Sequence, residues 1–479
     1  MLSMIVVFAF SFAPKLGIEH FLLRFAAVPD LQFSYFNNFG YYANAFNWYM
    51  LYWLGFAIIL SVLTIGMWQS SLQLTFLDRL KSLPKSLYQS KFLVVFSLLV
   101  WIFCGAFIYQ QTNIIGHYQN KEEALNWNIN YEKKYSTFDK LPQPTIKSIK
   151  TQVDLFPNEA RYTVKGSYVL KNETNEPIKR LWITLHKSVN EFEINIPKAK
   201  AQEVDKQFNQ QFIDLQTVLH PGSTMKMDFS INVIRSGFVS FDSENSVITN
   251  GTYIELEKFV PHFGYNPYLE IDDNRLRKKA GLPHYQIPNF SDGKYHLINL
   301  DQTISTSSEQ QIVTVGTLQK SWKTKDRNYF HYKTEVPINF MFALSSAKYQ
   351  IKKQNYKGIT LNFYYQLGHQ YNIETMLKAV KDALDYGNAN FSTYPLKQFT
   401  LAEIPHYKGA ATAYPGVVFN AERINYLTDY GNQNLVNQSY AITAHEVAHQ
   451  WWANILAPAD VMGYAMLTES LAKYTAAVL

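Results

Sequence analysis

The chain has 479 residues, 47% of them hydrophobic and 16% aromatic, which excludes a disordered protein and suffices for two or three separately cored units. Its formal charge of +6 is spread along the chain rather than gathered in a block, so no nucleic-acid partner is expected. Cys104 is the only cysteine, which rules out disulfides within the chain and cysteine-based zinc sites.

In chain order, Met1–Ala13 is apolar but lacks a basic leader and a small-residue cleavage site, so it reads as the tail of a further span rather than a signal peptide. Phe46–Met67 holds 22 residues without a charge, bracketed by Trp48, Tyr49, Trp53 and Trp68. Phe92–Tyr109 is an uncharged run of 18 with Trp101 and Tyr109 toward its end. Both predict membrane spans within a lipid-embedded region over 1–110, since neither run shows a polar stripe. Between them, residues 68–91 carry Arg79, Lys81, Lys85 and Lys91 against Asp78 alone. The excess of positive charge places that loop in the cytoplasm and everything after Tyr109 on the extracytoplasmic side.

Residues 111–145 are polar and end in Leu141-Pro142-Gln143-Pro144, which predicts a linker. Alternation at Ala160–Leu170, Lys179–Leu185, Met225–Val233, Gln311–Val315 and Tyr329–Thr334 predicts a mostly antiparallel β domain over 146–350. From 351 to 479 the pattern becomes α+β, with a helix at Ile373–Tyr386, a strand at Gln398–Glu403, and Ala413–Phe419 as a sheet edge to which an extended peptide can add a strand.

The most informative stretch is His445-Glu446-Val447-Ala448-His449-Gln450-Trp451-Trp452. Ser439–Asn454 contains no Pro or Gly and predicts a helix, on which residues four apart project from one face. His445 and His449 are then placed to hold one Zn²⁺, with Glu446 beside them as the base that activates water. A third ligand is required. A third histidine six residues past the second would supply it in one class of zinc peptidase, but Ile455 stands there. Glu469, in a helical pattern marked by Leu467, Leu471, Tyr474 and Val478, is the remaining candidate. The plainer alternatives are helical histidines on an ordinary face and a solvated helix carboxylate.

Together with Leu467-Thr468-Glu469, the His445–Trp452 stretch resembles the zinc aminopeptidases related to aminopeptidase N. It is closest to bacterial membrane proteins in which an ABC-type permease is fused to such a peptidase. The usual pattern places eighteen residues between the second histidine and the glutamate; this chain has one more, as that fused subgroup does, accommodated in the loop Ala457-Pro458-Ala459-Asp460 to Gly463. The resemblance implies a saddle-like β domain followed by the first part of a thermolysin-like catalytic domain. It implies zinc held by His445, His449 and Glu469, with Glu446 moving the proton. It also implies that Glu422, within Phe419-Asn420-Ala421-Glu422-Arg423, binds the free amino group of a peptide substrate. The tyrosine that stabilises the oxyanion in that family lies well past the third ligand, and Leu479 follows Glu469 by ten residues, so a fragment is expected, beginning inside the permease part. No phosphate-binding Gly-rich loop appears, so any ABC ATPase is a separate partner. The expected function is a membrane-anchored zinc aminopeptidase of a bacterial inner membrane, facing the periplasm; the alternative is a transporter component whose peptidase-like part binds peptides without cleaving them.

Overall fold

A computed structural model describes residues 12–68, 76–238, 244–286, 297–427, 437–458 and 463–479. Most of the Met1–Ala13 stretch, residues 69–75 of the basic loop and residues 459–462 of the loop before Gly463 lie outside the described residues. The chain divides into two compact units: residues 1–33, 38–124 and 236–240 form one, and residues 34–37, 125–235 and 241–479 form the other.

The first unit is built on three helices: α1 (Gly40–Met67), α2 (Phe76–Gln89) and α3 (Lys91–Tyr109), the last running on through a wider turn to Ile115. Tyr42–Met67 and Lys91–Ile115 are long and apolar enough to cross a membrane. Only 22% and 17% of their most apolar stretches are buried, whereas a core helix of a soluble protein would be mostly covered. Small residues let α1 and α3 approach closely: a Cβ on Gly55 would lie 3.1 Å from the Ser97 carbonyl oxygen, and one on Gly105 3.0 Å from the Tyr52 ring.

The segment read as a linker contains a helix, α4 (Lys121–Tyr135). Glu122 and Glu123 in its first turn and Lys133 and Lys134 in its last match the helix dipole. Its buried face carries Tyr131, Tyr135 and Glu132, whose carboxylate takes both guanidinium nitrogens of Arg277 at 2.5 and 3.0 Å. A polar composition concealed this helix because its inward residues are aromatic and ionic rather than aliphatic.

The β region of the second unit holds a seven-stranded sheet and two four-stranded sheets. The alternation in Arg161–Lys171 sends Tyr162, Val164, Tyr168 and Leu170 into one core. The other expected strands fall within two residues of Ile178–Thr184, Thr224–Ile234, Gln311–Thr314 and Arg327–Lys333. The sheet is not wholly antiparallel: Thr145–Phe156 pairs in parallel with Asn299–Ser307, Ser148 lying opposite Asn299. A parallel pair needs a long crossover, which sequence alternation does not reveal.

The last part of the chain forms a five-stranded sheet of β1 (Gln350–Tyr356), β2 (Ile359–Tyr365), β3 (Gln398–Ile404), β4 (Ala411–Tyr414) and β5 (Val417–Ala421), in the order β1-β2-β3-β5-β4. The β1–β2 hairpin was not legible because β1 is a charged edge strand. Its turn, with φ of 50° at Lys357 and 85° at Gly358, is the kind a two-residue hairpin favours. Ala413–Phe419 is not one edge strand: it spans a hairpin at Pro415-Gly416, leaving β4 at the edge and β5 inside the sheet. Helix α5 (Ile373–Asn390) links β2 to β3 and buries Met376, Leu377, Val380 and Leu384 against the sheet. Helices α6 (Gln438–Ala448) and α7 (Tyr464–Val478) follow, with α6 packed between α5 and α7.

Candidate metal centre

Asn437 starts α6 by accepting the Tyr440 N–H at 3.1 Å. The helix stops at Ala448, short of the expected Asn454, and His449 caps it with near-helical dihedrals (φ −61°, ψ −14°). The backbone then turns through Ala453 at φ 107°. Three side-chain hydrogen bonds hold this turn: Asn454 Nδ2 donates to the His449 carbonyl at 3.0 Å, and Asn339 Nδ2 reaches the Ala453 and Asn454 carbonyls at 3.1 and 3.2 Å. Both histidines still share one face, as their four-residue spacing requires.

Their Nε2 atoms are 3.1 Å apart, and Glu469 Oε2 lies 3.3 Å from His445 Nε2 and 3.6 Å from His449 Nε2. Ligands bound tetrahedrally at ~2.0–2.1 Å stand roughly 3.3 Å from one another, so the three atoms have the spacing that one face of a zinc tetrahedron requires. The other ring nitrogen of His449, Nδ1, lies 3.0 Å from the Trp452 carbonyl oxygen, the outer contact that fixes a ligating tautomer. Burial and then the neighbouring His449 hold the His445 imidazole below its ordinary pKa, favouring the neutral form that binds metal. Burial, with a smaller contribution from Glu469, pushes the Glu446 carboxyl up to about 7, the range of a general base near neutral pH. Glu469 itself is 62% exposed, so the ligand face opens toward solvent.

The three residues after His449 each pin the motif to a different element. Gln450 accepts the Gly416 N–H at 2.8 Å and donates to the Tyr414 carbonyl at 3.0 Å, which fixes the edge hairpin beside the histidines. The Trp451 ring lies over Gly387 of α5, where a Cβ would come within 2.4 Å, and its Nε1 donates to the Ser392 carbonyl. Trp452 Nε1 donates to Thr475 Oγ1 at 3.0 Å, tying the motif to the helix that carries Glu469. The apolar stripe that suggested α7 is not its buried face: Leu467, Tyr474 and Val478 are exposed, and Ala472 and Thr475 are buried. Glu469 lies on that packed side, three residues before Ala472.

Glu422 is placed elsewhere. It opens the single helical turn Glu422–Asn425 after β5, is fully buried, and groups with His369 and Glu403 rather than with the three zinc-type ligands. Both of its oxygens are engaged: Oε1 accepts the His406 N–H at 3.1 Å and lies 3.0 Å from His406 Nδ1, while Oε2 accepts the Tyr35 N–H at 3.0 Å. His369 Nδ1 lies 2.5 Å from Glu403 Oε1. Sequence reasoning missed this second group because its three members come from three separate segments. One signal was present: Glu403 is the one charged residue in a strand that is buried from Phe399 to Ile404.

No family model matches the chain, and no curated protein matches it. Among solved structures, it is similar to the M1 zinc metallopeptidase of Deinococcus radiodurans, at 12% identity and a TM-score of 0.47 over 70% of each chain. A point mutant of that enzyme gives 12% identity and a TM-score of 0.46 over the same shares. At such identity and overlap, function has to be read from the ligands themselves.

Proposed function

We propose that this chain is a zinc-dependent metallopeptidase that hydrolyses peptide bonds. The observation that carries the reading is the triangle of His445, His449 and Glu469, with edges of 3.1, 3.3 and 3.6 Å, beside the buried carboxyl of Glu446. Three protein ligands and an open side are the pattern of a catalytic rather than a structural zinc. When bound, the ion supplies Lewis acidity toward a peptide carbonyl and acidifies water. Glu446 takes the proton of the attacking water and passes it to the departing amine. The β4 edge, held against the motif by Gln450, offers backbone groups that align an extended peptide.

In its finer form the proposal is an aminopeptidase. That form has no support from the placement of Glu422, whose carboxylate must leave His406 and Tyr35 before it can hold a substrate's amino end. A membrane-anchored enzyme is supported by the two apolar helices, α1 and α3. An extracytoplasmic location rests on the charge of the loop between them, and a separate ABC ATPase on the sequence resemblance alone.

The test is zinc content together with hydrolysis of aminoacyl anilides and of N-acetylated peptides by the full chain, beside Glu446→Gln. Stoichiometric zinc with turnover lost in the variant is expected. Zinc without turnover in either protein would replace the enzyme with a peptide-binding component of a transporter. Equal cleavage of acetylated and free peptides would make the enzyme an endopeptidase.

A further inference from the structure

We propose that His369, Glu403 and Glu422 form a second, structural metal centre for a zinc-class dication, with His406 Nδ1 as its fourth ligand.

One ligand atom from each of the three residues lies within 4.8 Å of the others, and all three side chains are buried. His406 Nδ1 adjoins Glu422 Oε1 at 3.0 Å, and its side chain is 11% exposed. Two carboxylates are thus placed in the interior, and among the described residues their ion-pair partners are histidines alone. Withdrawing a carboxylate from water is costly unless a charge compensates it. One dication neutralises both carboxylates while the histidines stay neutral, as ligands must.

The carboxylate oxygens are already sorted in the way a metal site needs. Each glutamate gives Oε2 to a backbone donor: Gln366 N–H reaches Glu403 at 2.7 Å, and Tyr35 N–H reaches Glu422 at 3.0 Å. Each turns Oε1 toward a histidine Nδ1, and Glu422 Oε1 also accepts the His406 N–H at 3.1 Å. Backbone donors of this kind fix the orientation of ligating carboxylates from outside the ligand shell. Two imidazole nitrogens and two carboxylate oxygens favour zinc and its transition-metal neighbours over calcium or magnesium, which prefer oxygen alone. A shell closed by four protein ligands leaves no position for substrate, so the role is structural.

The centre lies where three paired strands of one sheet end. His369 follows β2, Glu403 ends β3, and Glu422 follows β5. Tyr35 belongs to the Ser34–Asn37 segment, whose Phe36 carbonyl is bound by Asn250 Nδ2 at 2.7 Å, and its ring meets His369 edge-on at 5.0 Å. Gly251 beside that asparagine has φ 94°, and a Cβ there would lie 2.9 Å from the Phe36 Cβ, so a larger residue would push the segment away.

The experiment strips the full chain with a chelator, titrates it with ZnCl₂ and measures bound metal by elemental analysis, in wild type and in a His445→Ala/His449→Ala variant. The expected result is two equivalents for wild type and one for the variant, with zinc raising the variant's Tm. Adding His369→Ala and Glu403→Gln should reduce the remaining equivalent to none. A double variant that keeps its fold by circular dichroism, yet binds no zinc and shows no Tm shift, would overturn the proposal. Because that result comes from a protein with an intact second cluster, it decides the matter even if the cluster variants fail to fold.

Discussion

Two groups of histidine and glutamate lie in the same unit and differ mainly in what surrounds them. His445, His449 and Glu469 present three ligand atoms on an open face, with one carboxylate 62% exposed. His369, Glu403 and Glu422 are sealed, and both carboxylates are held by backbone donors on their outer oxygens. The same residue types therefore serve opposite ends. An open face suits a reacting molecule, while a sealed group suits a structural role at the strand ends. Glu446 goes with the first because it directly follows His445 and, among the described residues, no hydrogen-bonded partner holds its carboxyl.

The largest effect should come from the open group. Glu446→Gln should lower kcat about 10²- to 10⁴-fold while zinc stays bound, measured as turnover per metal. Activity near the wild-type level would move the base elsewhere.

The sealed group should respond in stability instead. Glu422→Ala leaves buried partners unmatched and should cost ~3–5 kcal/mol in a denaturant titration. Glu469→Ala, at an exposed site, should change stability by no more than ~0.5 kcal/mol while zinc affinity is lost. If the two variants behaved alike, the distinction between the groups would fail.

Asn339→Ala probes the turn that ends α6. It withdraws the side-chain donor from the Ala453 and Asn454 carbonyls, should cost about 1–3 kcal/mol, and should weaken zinc binding ~10-fold or more through His449. Stability loss with unchanged zinc affinity would mean that the turn does not position the ligand.

The smallest effect is a pH dependence. Burial, opposed by His369, leaves the Glu403 carboxyl raised to about 7, and the Glu403 carboxylate outweighs burial to raise the His369 imidazole. Both groups bind protons more tightly in the folded metal-free protein. For Glu403 the stabilisation is full below the unfolded carboxylate value of 4.5 and is lost as pH rises through about 7. Tm of metal-free Glu403→Gln should therefore fall less over that interval than Tm of wild type. A parallel fall would show that the pair does not titrate as a unit.

Much of the fold was legible where side-chain periodicity reports burial. The strands around Tyr162 and Val164, helix α5 and the two apolar helices follow from it directly. It failed where burial is achieved by other means. Helix α4 hides behind Trp127, Tyr131 and the Glu132–Arg277 pair, and the charged strand β1 forms an edge. In α7 the apolar stripe was a false guide, because Ala472 and Thr475 give α6 a closer approach than Leu467 or Tyr474 would.

By itself, the sequence singled out His445, His449 and Glu469 as zinc-ligand candidates and Glu446 as the candidate base, because helical spacing and residue chemistry constrain such a motif locally. Tertiary structure alone decided that Gln450, Trp451 and Trp452 anchor that motif to three different elements. It also decided that Glu422 joins His369 and Glu403 where three strands end. These last residues stand far apart along the chain, and only the pairing of β2, β3 and β5 brings their donors within reach of one another.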